Sequence, residues 1–228
     1  MKIHAEALLF DNDGTLVSSL ESVRRCWTRW AVELGITAED FARVELHGRT
    51  AVAIAADLLP ADVVPAAVAR IEALEVEDVP NGGAVLLPGT RDFLDSLPSP
   101  TLESCSRGGT PIRWAVVTSA TRRLAEARLA HAGILPKTLV VAEDVTRGKP
   151  DPEPYLLAAR QLGVDPARCV VFEDAPAGLQ AGRAAGMITV ALATTHEAHE
   201  LEADLVVSDL SALSALVSDG GVEISVRG

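Results

Sequence analysis

Five short apolar runs constrain this chain more than any other feature of its sequence: "ALLF" (Ala7 to Phe10), "WAVVT" (Trp114 to Thr118), "LVVA" (Leu139 to Ala142), "CVVF" (Cys169 to Phe172) and "TVAL" (Thr189 to Leu192). None alternates with polar residues. A strand that faces water on one side alternates, so an unbroken run predicts a strand covered on both faces. Helical patterns lie between the runs. Thr121 to Ala132 spaces Leu124, Arg128 and Leu129 by turns and meets Gly133; Pro152 to Leu162 opens on prolines and meets Gly163. Strand and helix in alternation predict an α/β fold built on a doubly wound, Rossmann-like parallel sheet.

From Leu20 to Val79 no strand-like run interrupts the chain. Val23, Trp27, Trp30, Ala31 and Leu34 share one helical face, closed by Gly35, and further helical patterns run Ala38 to Leu46, Thr50 to Leu59 and Ala61 to Glu77. Two arrangements are open: helices that cover the sheet, or a small helical module inserted after the first strand. The module reading gives a core of residues 1–17 and 84–228 and an insertion of residues 18–83. Pro98 to Arg113, rich in Pro, Ser and Gly, reads as an extended surface loop. The tail "GGVEISVRG" reads either as an added edge strand or as a mobile end.

The composition narrows the function. Apolar residues make up 48% of the chain and aromatics only 4%, so Ala, Val and Leu must fill the core. A net charge of −12 repels nucleic acid and anionic membrane surfaces, which excludes both as expected partners. Cys26, Cys105 and Cys169 are isolated, against a disulfide framework and a zinc knuckle alike. No run approaches the ~18 to 20 apolar residues of a membrane span. The first residues carry no signal-peptide pattern, and the expectation is a soluble, cytoplasmic protein.

In an open parallel sheet, ligands bind beyond the carboxyl ends of the strands. The first run delivers Asp11 and Asp13 there, the second Thr118 and Ser119, and the fourth Glu173 and Asp174, while Lys149 lies in "RGKPDPEPY", which leads out of the third. Each piece has an ordinary explanation: Asp-x-Asp-Gly is a common turn, Thr118, Ser119 or Thr121 can cap a helix, and Glu173 and Asp174 can cap the next one. Their order at successive strand ends favours a site. Four carboxylates crowded together require a cation, and donors that are all oxygen favour Mg²⁺ over zinc. Acid, metal and ammonium together suit phosphoryl transfer.

These residues resemble a known family. "FDNDGTLVSS", the strand ending in Thr118, "RGKPDPEPY" and "VVFEDAPAGLQAGRAAGM" are similar to the four motifs of the haloacid dehalogenase-like superfamily, in its branch with an α-helical cap inserted after the first motif. The resemblance implies that Asp11 is the nucleophile, forming an aspartyl-phosphate, and that Asp13 is the general acid and then the base. It implies Mg²⁺ held by Asp11, the backbone carbonyl of Asp13, Asp174 and Glu173, with Thr118, Ser119 and Lys149 at the phosphate. "ELHGRTAVAIA" is similar to the cap loop that faces the active site, where His47 and Arg49 are expected to meet the substrate. The implied activity is a Mg²⁺-dependent phosphatase of a small sugar or polyol phosphate. A hexose-phosphate mutase of the β-phosphoglucomutase type is the alternative, and a catalytically silent binding protein a remoter one. The relatives implied are often monomers, with a dimer the other possibility.

Overall fold

The structure, a computed structural model, describes residues 2–44, 46, 49–97, 113–218 and 221–227. Its centre is a six-stranded sheet formed by β2 (Ala7–Phe10), β5 (Arg113–Val117), β6 (Thr138–Val140), β7 (Cys169–Glu173), β8 (Ile188–Leu192) and β9 (Leu205–Val207), in the order β6-β5-β2-β7-β8-β9. Every neighbouring pair is parallel. The five runs read from the sequence are five of these strands; the sixth, β9, is a three-residue edge strand too short to register as a run.

Successive side chains of a strand point to opposite faces, and the core divides accordingly. Leu8 and Phe10 of β2 join Val116, Val170 and Phe172 on one face, where Phe10 stacks on Phe172 with ring centroids 4.7 Å apart. Ala7 and Leu9 join Ala115, Val117 and Val171 on the other, beneath α7 (Glu153–Leu162) with its buried Tyr155 and Ala158. Helices α5 (Thr90–Ser96), α6 (Arg122–Ala132) and α8 (Pro176–Ala184) complete the cover. Gly133 and Gly163 end α6 and α7 in the left-handed conformation, φ 67° and 65°.

Between β2 and α5 the chain forms α1 (Leu20–Glu33), α2 (Ala38–Phe41), α3 (Ala51–Leu58) and α4 (Val64–Asp78). They enclose a core of their own around Trp27, Trp30, Ile54, Ala67 and Ile71. The Trp30 indole donates to the Ala67 carbonyl at 2.7 Å, which satisfies the one polar atom of that buried side chain. The two passages into and out of this segment lie side by side as the two-stranded β3 (Val17–Ser18) and β4 (Val85–Leu86).

The structure corrects three local expectations. The helix expected over Ala38 to Leu46 stops at Phe41, because Arg43 and Val44 turn to carbonyls three residues back instead of four. α4 starts at Val64, not Ala61, since Pro65 is tolerated only in a helix's first turn. The tail is no edge strand: β11 (Gly221–Val226) lies between β1 (Lys2–Ala5) and β10 (Leu213–Ser218) in a separate antiparallel sheet. Ile3, Leu213, Val222 and Ile224 bury that sheet's inner face against the Phe10 side of the core. The expected surface loop, residues 98–112, lies outside the described residues.

Candidate active site

β2 has β5 on one side and β7 on the other, and the chain winds outward in both directions from it. That is the switch point at which loops diverge and leave a crevice. Asp11 follows β2 directly, and its amide donates to the Phe172 carbonyl at 3.0 Å, extending the pairing with β7. Gly14 then turns the chain at φ 91°; a Cβ there would lie 2.2 Å from Asp174 Oδ2, so only glycine admits this approach.

One ammonium organises the floor of the crevice. Lys149 Nζ donates to Asp11 Oδ1 at 2.6 Å, to Glu173 Oε1 at 2.7 Å and to the Val117 carbonyl at 2.9 Å. All three N–H groups are thereby committed to protein acceptors, so a phosphoryl oxygen would have to displace one of them. Glu173 also takes the Tyr155 hydroxyl on Oε1, and the Asp174 and Ala175 amides on Oε2. Its carboxylate therefore anchors both Lys149 and the start of α8. Asp174 accepts from Thr15 at 3.3 Å and from Thr195, which lies on the loop after β8.

Asp11, Glu173 and Asp174 are buried and can each present an oxygen within 4.8 Å of the others. Three carboxylates facing one ammonium leave excess negative charge in a medium that solvates it poorly. Burial pushes Asp11 well above the usual carboxylate range; Lys149 opposes that rise while Glu173 and Asp174 add to it. Burial, with Glu173 beside it, pushes Asp174 up to about 7, against its hydrogen bond from Thr195. Burial alone would lower Lys149, but Asp11 and Glu173 prevail and its pKa is raised. The donor set is all oxygen, crowded and under-neutralised, and it fits a hard divalent cation such as Mg²⁺.

The fourth carboxylate stands apart, which corrects the expectation that all four crowd together. Asp13 Oδ1 lies 2.9 Å from Arg128 Nη1, and Arg128 Nη2 lies 3.1 Å from Glu75 Oε1 of α4. Repulsion is reduced because Asp13 has its own cation. Thr118 is buried at the end of β5, where its hydroxyl oxygen accepts from the Ala120 amide at 3.1 Å and keeps a proton to donate to an anion. Thr121, not Thr118 or Ser119, is the N-cap of α6.

Asp11, Asp13, Thr118, Ser119, Glu173 and Asp174 line one pocket with Arg49, Trp27, Ile54 and Glu72 from the helical segment. Arg49 pairs with Asp57 at 2.7 Å. His47 lies outside the described residues. Sequence reasoning did not single out Glu75, Tyr155, Thr15 or Thr195, and it gave Arg128 no role. Two of these carried a signal: Arg128 sits on the buried stripe of α6, and Glu75 follows Ile71 by one turn on the buried stripe of α4.

The haloacid dehalogenase-like hydrolase family model matches residues 5–186, a span that holds the crevice residues named above except Thr195. The chain belongs to this family. Hexitol phosphatase A of Escherichia coli (strain K12) is 37% identical over 225 residues, covering 96% of this chain and 98% of that protein. Validoxylamine A 7'-phosphate phosphatase of Streptomyces hygroscopicus subsp. limoneus is 38% identical, covering 89% of this chain and 93% of its own. Among solved structures, a mutant CbbY from Rhodobacter sphaeroides in complex with xylulose-(1,5)bisphosphate superposes with a TM-score of 0.75 at 26% identity, covering 92% of this chain and 96% of that one. Within the family, the crevice described here lies at the switch point of the sheet, and among the described residues no helix is long and apolar enough to cross a membrane.

Proposed function

We propose that this hydrolase is a Mg²⁺-dependent phosphatase of a small sugar or polyol phosphate, acting through an aspartyl-phosphate. The observation that carries the reading is the buried assembly of Asp11, Lys149, Glu173 and Asp174 beneath a pocket shared with the helical segment. Relatives covering nearly the whole chain are by name a hexitol phosphatase and a phosphatase of validoxylamine A 7'-phosphate, which supports the substrate class.

In this reading the Asp11 carboxylate attacks phosphorus while Asp13 gives its proton to the departing alcohol oxygen, so the phosphorus–oxygen ester bond breaks as the acyl-phosphate bond forms. Asp13, now a carboxylate, takes a proton from water, whose oxygen attacks the same phosphorus; inorganic phosphate leaves and Asp11 is regenerated. Thr118 donates to a phosphoryl oxygen, and Lys149 holds Asp11 as it attacks and adds positive charge beside the phosphoryl group. Asp11, Glu173, Asp174 and the Asp13 carbonyl would hold Mg²⁺, which when bound neutralises phosphoryl charge. Residues 18–83 act as the cap that shuts water out and meets the substrate's hydroxyl end, with Arg49, Glu72 and His47 in that role.

A phosphate-release screen over hexitol, hexose and glycerol phosphates, with and without Mg²⁺, tests the proposal. Metal-dependent release from at least one of them is expected. Conversion of β-glucose 1-phosphate to glucose 6-phosphate without free phosphate would replace the reading with a mutase.

A further inference from the structure

We propose that Arg128 is a positioning residue for Asp13, and that Glu75 of α4 holds Arg128 in turn, so the proton-transfer group is set from the helical segment as well as from the sheet. This rests on the phosphatase reading above. Arg128 arises from α6 in the core, yet its guanidinium reaches both the turn after β2 and the helical segment. The three side chains come from positions far apart in the chain and meet only in the tertiary structure.

Stability is a poor explanation for this trio. Arg128 is 3% exposed and Glu75 6%, and taking such charges out of water costs about as much as their attraction returns. Arg128 Nε is buried with no hydrogen-bond partner among the described residues, a further cost. A well-packed apolar trio would serve the fold as well. The location next to the reacting atoms gives the arrangement a purpose.

Its geometry says what that purpose is. Asp13 Oδ1 is buried with no hydrogen-bond partner among the described residues and is held by its ion pair with Nη1, while the Asp13 side chain keeps 22% exposure on the pocket. Oδ2 is therefore the oxygen left to carry the proton to the leaving group. Oδ2 accepts a hydrogen bond from Asn12 Nδ2 at 3.3 Å, a longer contact than the 2.9 Å ion pair on Oδ1. A planar guanidinium hydrogen-bonded to Glu75 has its own orientation fixed by that bond, and its ion pair with Oδ1 restrains the Asp13 carboxyl in turn. Moving α4 moves Glu75, and the clamp passes that displacement to the acid.

The test exploits leaving groups. An alkoxide needs a proton as it departs, whereas p-nitrophenolate leaves well without one, and kcat/KM reports the phosphoryl-transfer step for both. Wild type, Arg128→Met and Glu75→Gln are compared on glucitol 6-phosphate and p-nitrophenyl phosphate with Mg²⁺. For Arg128→Met the ratio of alkyl to aryl kcat/KM should fall about 10- to 100-fold, a large part of what general acid catalysis supplies; for Glu75→Gln it should fall about threefold. Arg128→Lys, which keeps the charge and loses the planar fork, gives the same readout where the Met variant does not fold. An unchanged ratio, whether both activities drop together or neither drops, overturns the proposal while leaving the phosphatase reading in place. Wild-type protein inert towards both substrates overturns both.

Discussion

At the residue scale, the proposed nucleophile illustrates how cost and function separate. Asp11 is buried beside two other carboxylates, and its pKa is held well above the usual carboxylate range by that burial. Its charged form is therefore unfavourable in the metal-free fold. Asp11→Asn keeps the shape and removes the charge, and Lys149 retains Glu173 as a partner at 2.7 Å. Turnover should fall by about 10⁴-fold or more, while the thermal midpoint of the metal-free protein stays at or above that of wild type. Phosphate release and a melting curve on the same sample check both halves. Full activity would remove Asp11 from the role. Asp11 was legible in the sequence because it follows an apolar run without a spacer. Thr195 was not: it reaches Asp174 from a loop after β8, and nothing local marks it.

At the element scale, α8 shows a helix built for approach rather than for helical propensity. Gly178 lies in its first turn, where alanine would ordinarily stabilise a helix by about 1 kcal/mol. Here a Cβ would stand 1.8 Å from Glu173 Oε1, the oxygen that holds Lys149 and Tyr155. Gly178→Ala should therefore destabilise the protein by about 1–3 kcal/mol, the usual cost of overpacking, and lower kcat. Urea unfolding with parallel rate measurements would show it; a gain in stability would contradict the packing argument. The elements themselves were legible in uneven degree. Five of the six parallel strands announced themselves because burial on both faces leaves no polar residue in the run. β1 and β11 alternate instead, with Ile3, Val222 and Ile224 inward, and Lys2 opposite Ser225 is a pairing that no local window can contain.

At the scale of the whole molecule, the excess negative charge of the site makes the proposed metal binding a stability effect. A ligand that binds the folded state alone and is present at a hundredfold over its Kd adds about 2.7 kcal/mol to the unfolding free energy. Mg²⁺ at that ratio should raise the urea midpoint accordingly, and Asp174→Asn should lose most of the gain. An equal gain in that variant would place the ion elsewhere. The same scale gives the helical segment its meaning: α1, α3 and α4 have a core of their own, and the chain enters and leaves them through the paired β3 and β4.

What the sequence determined alone was the class of fold, the order of the strands' delivered residues and the oxygen chemistry of the site. Those follow from local physics, since burial on both faces and residues at strand ends are written in consecutive positions. The tertiary structure decided which groups share a charge. It put Lys149 between Asp11 and Glu173, and it took Asp13 out of the carboxylate cluster to pair with Arg128 and, through it, Glu75. Coulomb interactions fall with distance in space and take no account of distance along the chain, so only the folded molecule could assign those partners.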